Sequence, residues 1–159
     1  KILKSIMKLF KHFLFFLIIN FGGLYIGNLL MNNGPQTSWY INLNKAPWTP
    51  PGWVFGAAWT LIMICFSIYL AHLFIKVDST KLKLAFALQV VLNVSWNYVF
   101  FNQHLVAFGL VIISALTIVL FTFFFSNFKS IKTKSYLILP YMIWLLIATS
   151  LNAFILFNN

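Results

Sequence analysis

Apolar stretches, each of about twenty residues, recur along this 159-residue chain at about Phe10 to Leu30, Pro51 to Ile75, Leu84 to Phe101, Leu105 to Phe125 and Tyr136 to Phe157. A helix rises about 1.5 Å per residue, so a stretch of that length crosses a hydrocarbon core about 30 Å thick. None of the five contains an acid, and the lysines fall almost wholly outside them. Backbone polar groups find no water inside a bilayer, so each stretch must pair its own N–H and C=O groups as a helix or join a closed barrel. Barrel strands alternate apolar and polar residues over short segments. The run LVAFGLVIISALTIVLFTFFF, from Leu105, does not alternate. The sequence therefore predicts an all-α integral membrane protein. Its form is a single five-transmembrane-helix bundle over residues 1–159, in which a long first loop from Met31 to Pro50 caps a cavity.

Composition agrees: 62% of the residues are hydrophobic and 8% charged, more apolar surface than a soluble domain of this length can hide. Eleven lysines, no arginine and one acid, Asp78, leave a net charge of +10. The lysines fall in short clusters between apolar runs, with no basic face to follow a phosphate backbone, so nucleic acid is not the expected partner. The lipid bilayer is, with lysines as topology signals and anchors to anionic headgroups. Ten of the eleven lie before or at the very start of the first stretch or in the connections after the second and fourth, and only Lys45 lies on the other side. That asymmetry places the N-terminus in the cytoplasm and the C-terminus outside, in the inner membrane if the cell is bacterial. Lys1 to Lys11 followed by Phe13 to Ile19 resembles a signal peptide, but no small-residue cleavage site follows, and the segment reads as a retained first span.

Cys65 stands alone within an apolar run and reads as a packing residue. His12, His72 and His104 are scattered, so no metal site is expected.

The candidate site begins with WYINLNKAPWTPPGWVFGAAW, from Trp39 to Trp59, which holds four of the six tryptophans and three prolines. Rigid aromatic surface in that amount fits the mouth of a membrane cavity and a large, flat or greasy guest. Trp39, Trp48 and Trp53 equally fit an interfacial aromatic belt, and both readings stay open. Pro50 and Pro51 suit the start of the second helix, where a missing amide hydrogen costs little. Phe55, Trp59, Met63 and Phe66 then form one stripe at helical spacing, facing either the interior or lipid.

Polar groups at membrane depth favour the interior. Gln89, Asn93 and Asn97 recur every fourth residue, with Trp96 and Phe100 beside the last. Side-chain amides need partners in hydrocarbon, and interhelical hydrogen bonds contribute roughly 0.6 to 2 kcal/mol each. This face must look inward, for helix pairing or for a ligand, with ligand contact favoured at Asn93 and Asn97. In the last stretch Pro140 is expected to kink the helix around a cavity. Trp144 and Ala148 share a face, a large ring beside a small residue. Counting residues places Trp144 toward the inner half and Trp59 toward the outer half. Gly23 and Gly27 form a small-residue pair that permits close helix approach, within the bundle more than between protomers.

Trp39-Tyr40, Lys45 with Trp48, Pro50-Pro51, Trp59, the L-N-x-x-W-N-x-x-F-F stretch from Leu92, and P-Y-x-x-W with A-T-x-L-N from Pro140 to Asn152 resemble the translocator protein family. Its members are also called tryptophan-rich sensory or peripheral benzodiazepine receptor-like proteins. The resemblance covers nearly the whole chain. It implies a five-helix bundle, often a homodimer, whose cavity under the first loop binds porphyrins and synthetic isoquinoline or benzodiazepine-type ligands. Porphyrin is there as a ligand, not a resident cofactor. By that similarity Tyr40, Trp59, Asn93, Asn97, Phe100, Trp144 and Ala148 line the cavity, with Trp48 and Phe55 added from the residue pattern. Trp59 and Trp144 are the pair implied in light-dependent porphyrin breakdown. Two departures stand out. The family's lysine-proline step reads here Lys45-Ala46-Pro47, and the tyrosine and basic residue of the sterol consensus are missing after Leu151.

Three functions are compatible with these residues. The first is a membrane sensor or translocator-type protein that binds tetrapyrroles. The second is a light-dependent porphyrin oxidase, since no Ser/His/Asp set or carboxylate pair for hydrolysis can be composed. The third is a transporter of tetrapyrroles or lipids, against which stands the lack of an intramembrane charge for ion coupling. Binding and sensing is the leading expectation.

Overall fold

The computed structural model describes residues 1–159 and contains five long helices and one single-turn helix, with no strand. In chain order they are α1 (Ile2–Leu30), the one-turn α2 (Ser38–Ile41), α3 (Gly52–Lys76), α4 (Thr80–Asn97), α5 (Val106–Ile131) and α6 (Leu139–Asn158). Residues 2–36, 52–76, 80–102 and 106–158 are each long and apolar enough to cross a membrane, and the last of these holds both α5 and α6. The outward faces carry Ile18, Leu84, Val111, Ile118 and Phe125, all strongly exposed. Rows of large apolar side chains facing outward are costly in water and suit lipid contact.

Local chemistry accounts for several helix ends. Ser79 Oγ accepts from the N–H of Leu82 at 3.1 Å, which caps α4. Pro51 stands immediately before α3, where its rigid φ stiffens the junction with the cap. Asn102 Nδ2 donates to the carbonyl of Leu30 at 3.0 Å and so pairs an acceptor left over at the end of α1. α4 runs on into a wider π turn at Tyr98–Asn102, and its residues Phe100 and Phe101 are both buried.

Around the bundle the order is α1, α3, α6, α5, α4 and back to α1, with α3 also reaching α5 across the middle. Phe66, Tyr69, Leu70 and Leu73 of α3, Leu120 of α5 and Leu145 of α6 are fully buried where these helices meet. Gly23 and Gly27 face α4: a Cβ at Gly27 would lie 2.7 Å from Asn97 Nδ2, and one at Gly23 would lie 3.6 Å from Val94. The glycine pair thus serves packing within the bundle.

Several sequence expectations need correction. α1 begins eight residues before Phe10 because Lys4, Lys8 and Lys11 ride on the helix rather than precede it. α5 extends past Phe125 to Ile131. The following connection, Lys132–Ile138, is a 3-10 helix that climbs back beside α5, with the Tyr136 ring against Phe124 and Phe128. Pro140 is the second residue of α6, a position that needs no backbone donor, so it opens the helix instead of kinking it. The climb also carries Trp144 toward the cap. Trp144 meets Phe55 in the first turn of α3, whereas Trp59 lies a turn deeper against Tyr141. Trp59 keeps its expected place in the outer half, in the first third of α3, but Trp144 lies level with Phe55, nearer the cap than Trp59 and not toward the inner half.

Candidate functional site

Tyr141 is the hub of the interior. Its hydroxyl accepts from Gln89 Nε2 at 2.6 Å and from Asn93 Nδ2 one turn further along α4. Spacing by four puts the two amides on one face of the helix, and that face turns inward, as the sequence predicts. Gln89, Asn93 and Tyr141 are all buried, and Gln89 Oε1 has no hydrogen-bond partner. A buried acceptor without a donor costs about 1–3 kcal/mol. Beside it lies a void of about 10 Å³ bordered by Asn20, Gln89 and Asn93. Asn20 donates to Ser67 Oγ at 2.9 Å, linking α1 to α3.

The α3 stripe faces this hub. Met63 and Phe66 are buried, while Phe55 and Trp59 are half-buried. Trp59 meets Tyr141 edge-on with centroids 5.7 Å apart, and Phe55 meets Trp144 at 5.3 Å. Ala148 packs against the same core from α6. Side chains therefore fill the space between α3 and α6, with Trp144 buried and Phe55 and Trp59 half-buried.

The cap forms a second layer. Thr37 Oγ1 accepts from the N–H of Tyr40 at 3.4 Å and starts α2, which carries Trp39 and Tyr40. Trp39 stacks on His104 at 3.9 Å and meets Phe100 at 5.7 Å, while Tyr40 tilts over Phe101 at 5.3 Å. Burial raises the Tyr40 pKa. Phe100 in turn stacks on Trp96, whose Nε1 donates to Asn152 Oδ1 at 3.0 Å. A seam of rings and amides thus runs from the cap through Trp96 to Asn93 and Tyr141. Lys45 Nζ donates to the carbonyls of Ile41 and Leu43 and lies 4.8 Å from the Tyr40 ring centroid.

Two expected site residues stand apart from the seam. Trp48 is half-exposed; its Nε1 donates to Ser150 Oγ at 3.0 Å and its ring meets Phe154, on the outer part of α6. Asn97 turns toward α1, and its Nδ2 donates back to the Asn93 carbonyl at 3.1 Å. Tyr141, Asn20 and Ser67 were not among the expected site residues. The signal for Asn20 was visible as an amide inside the first apolar run. Tyr141 was hidden because a tyrosine in a span reads equally as packing.

A polytopic helical membrane protein with interior amides, facing aromatic stripes and a tryptophan-rich cap is the class that this fold and seam define. The chain belongs to the TspO/MBR family, whose model matches residues 15–157. It is 36% identical over 151 residues to the tryptophan-rich protein TspO of Archaeoglobus fulgidus, covering 93% of this chain and 94% of that protein. It is 34% identical over 115 residues to a tryptophan-rich sensory protein of Cereibacter sphaeroides, covering 72% of each. Protein CrtK of Rhodobacter capsulatus is 32% identical over 119 residues, covering 72% of this chain and 74% of that one.

Proposed function

We propose that this chain is a membrane sensor that binds a tetrapyrrole between α3, α4 and α6, beneath the cap. The observation that carries the reading is the convergence on Tyr141 of Gln89, Asn93 and the Trp59 ring, with Gln89 Oε1 free to accept a further hydrogen bond. A porphyrin offers flat faces to indoles, pyrrole N–H donors to an amide oxygen, and carboxylates to amide N–H groups. Phe55, Trp59 and Trp144 must swing aside to admit a macrocycle. Lys45, the one cation of the cap, meets a propionate once it leaves the carbonyls of Ile41 and Leu43. The lysine-rich end faces the cytoplasm and the cap faces outward. The name of the Cereibacter sphaeroides relative, a sensory protein, accords with this reading.

Titrating protoporphyrin in darkness into the detergent-solubilised protein tests it. Saturable quenching of tryptophan fluorescence at roughly micromolar porphyrin is expected, and unchanged fluorescence up to roughly tens of micromolar overturns the reading. Illuminating the same sample separates binding from light-driven oxidation. Loss of the Soret band faster than for porphyrin in empty detergent would make the protein an oxidase as well.

A further inference from the structure

At the end away from the cap, α1, α3 and α4 part around an aromatic floor. Phe16 of α1 meets Phe74 of α3 at 4.8 Å and Phe86 of α4 at 5.2 Å, and Phe15 extends the same floor. Above these rings opens a cavity of about 760 Å³ whose rim carries Lys8, Lys11, His12, Asp78 and Lys83. Lys8 and Lys11, three residues apart, share a face of α1. Asp78 is the only acidic side chain of the chain, and Lys83 holds it at 2.6 Å. Lys8 and Lys11 therefore have no acidic partner within the protein. His12 is tied to its own helix, with Nδ1 donating to the Lys8 carbonyl at 2.8 Å.

This juxtaposition selects one kind of ligand. A soluble anion would use the rim and leave the rings unused. A neutral apolar molecule would use the rings and leave the ammonium groups without counter-charge. A molecule with an anionic head and an apolar tail uses both, and the cavity opens among the lysines that border the spans, where headgroups meet acyl chains. We propose that this cavity is a discrete binding site for one acidic phospholipid of the leaflet at the lysine-rich end. Its phosphate bonds Lys8 and Lys11, and an acyl chain lies along Phe15, Phe16, Phe74 and Phe86. The Asp78 carboxylate opposes it, both by its own charge and by occupying Lys83. The site is separate from the seam under the cap and does not depend on tetrapyrrole binding.

Native mass spectrometry of the full chain in non-ionic detergent, with phosphatidylglycerol or phosphatidylcholine added at equal concentration, tests the proposal. A saturable single adduct of phosphatidylglycerol, at least about fivefold favoured over phosphatidylcholine, is expected, since one lysine at an anionic membrane surface changes binding by about that factor. The double change Lys8→Gln and Lys11→Gln lowers the adduct by about tenfold or more. Lys132→Gln with Lys134→Gln, which removes equal charge away from the cavity, leaves it unchanged. Asp78→Asn raises it severalfold, the opposite sign from any loss of folding. Glycerol phosphate, the head without chains, fails to displace the lipid. Equal retention of the two lipids, equal loss in both lysine pairs, no gain from Asp78→Asn, or displacement by glycerol phosphate at matched concentration overturns the proposal.

Discussion

Trp59 presents its ring to Tyr141 at an interplanar angle of 75°, while the Tyr141 hydroxyl accepts from two amides of α4. One side chain thus joins the aromatic stripe of α3 to the polar stripe of α4. Replacing Tyr141 with Phe keeps the ring contacts and strands the N–H groups of Gln89 and Asn93 in the core. The expected cost is about 1–3 kcal/mol, read as a lower melting temperature in detergent. Adding Gln89→Leu to Tyr141→Phe should cost less than Gln89→Leu alone, because the amide has already lost its acceptor. Additive losses would show that the two residues act independently.

Trp48 and Trp59 both come from the tryptophan-rich segment, yet they occupy different places. Trp59→Ala removes a ring from the seam and should weaken porphyrin binding about tenfold, the effect of one lost aromatic partner. Trp48→Phe, at a half-exposed cap position that packs against α6, should leave porphyrin affinity unchanged. Fluorescence titration of the two variants checks the contrast, and equal weakening would move the site outward to the face of Trp48.

Gly34 sets the height of the cap above the bundle. A Cβ there would stand 2.5 Å from Phe101 Cβ and 2.6 Å from its ring, and Phe101 is buried beneath Tyr40. Gly34→Ala should destabilise by about 1–3 kcal/mol through overpacking and make the cap a target for limited proteolysis. Gly22, where a Cβ meets nothing within 4 Å, is the control, and Gly22→Ala should be neutral or mildly stabilising.

The parts of this molecule that were legible in the sequence are those set by the solvent. A bilayer demands long apolar helices, and it forces Gln89 and Asn93 inward whatever their partners are. What stayed hidden depends on long-range pairing or on backbone geometry without a compositional mark. Nothing in the sequence tells that Trp39 will stack on His104, 65 positions on by residue number, or that Tyr141 will collect both amides. Lys132–Ser135 looks like a polar connection and Tyr136–Ile138 like the start of the last span, but all seven residues form a 3-10 climb at about 2 Å per residue that shifts α6 along α3. That shift brings Trp144 level with Phe55, so residue counting from the span ends misplaces Trp144 while placing Trp59 correctly.

The turn that starts this climb is strained. Lys132 has φ 51° and ψ −121°, a combination that glycine tolerates and other residues rarely adopt. Lys132→Gly should stabilise the protein by about 1 kcal/mol, visible as a higher melting temperature. Lys132→Ala, which removes the charge and keeps the Cβ, should bring no gain. A matching gain from alanine would assign the effect to charge.

Asp78 offers a titration free of competing carboxylate side chains, because the chain has no other acid. A hydrogen bond from Lys83, reinforced by that ammonium's charge, holds the Asp78 carboxyl below its usual range. A carboxyl lowered in the fold binds fewer protons there than in the unfolded chain. Its contribution is fully present above the unfolded pKa of about 4 and is lost as the pH falls through the lower folded value. The pair is exposed, so the acid limb should be shallow. Melting temperature followed from pH 6 downward should decline below about pH 4, and Asp78→Asn should flatten that decline. An unchanged acid limb in Asp78→Asn would leave the Asp78–Lys83 pair without a measurable part in stability.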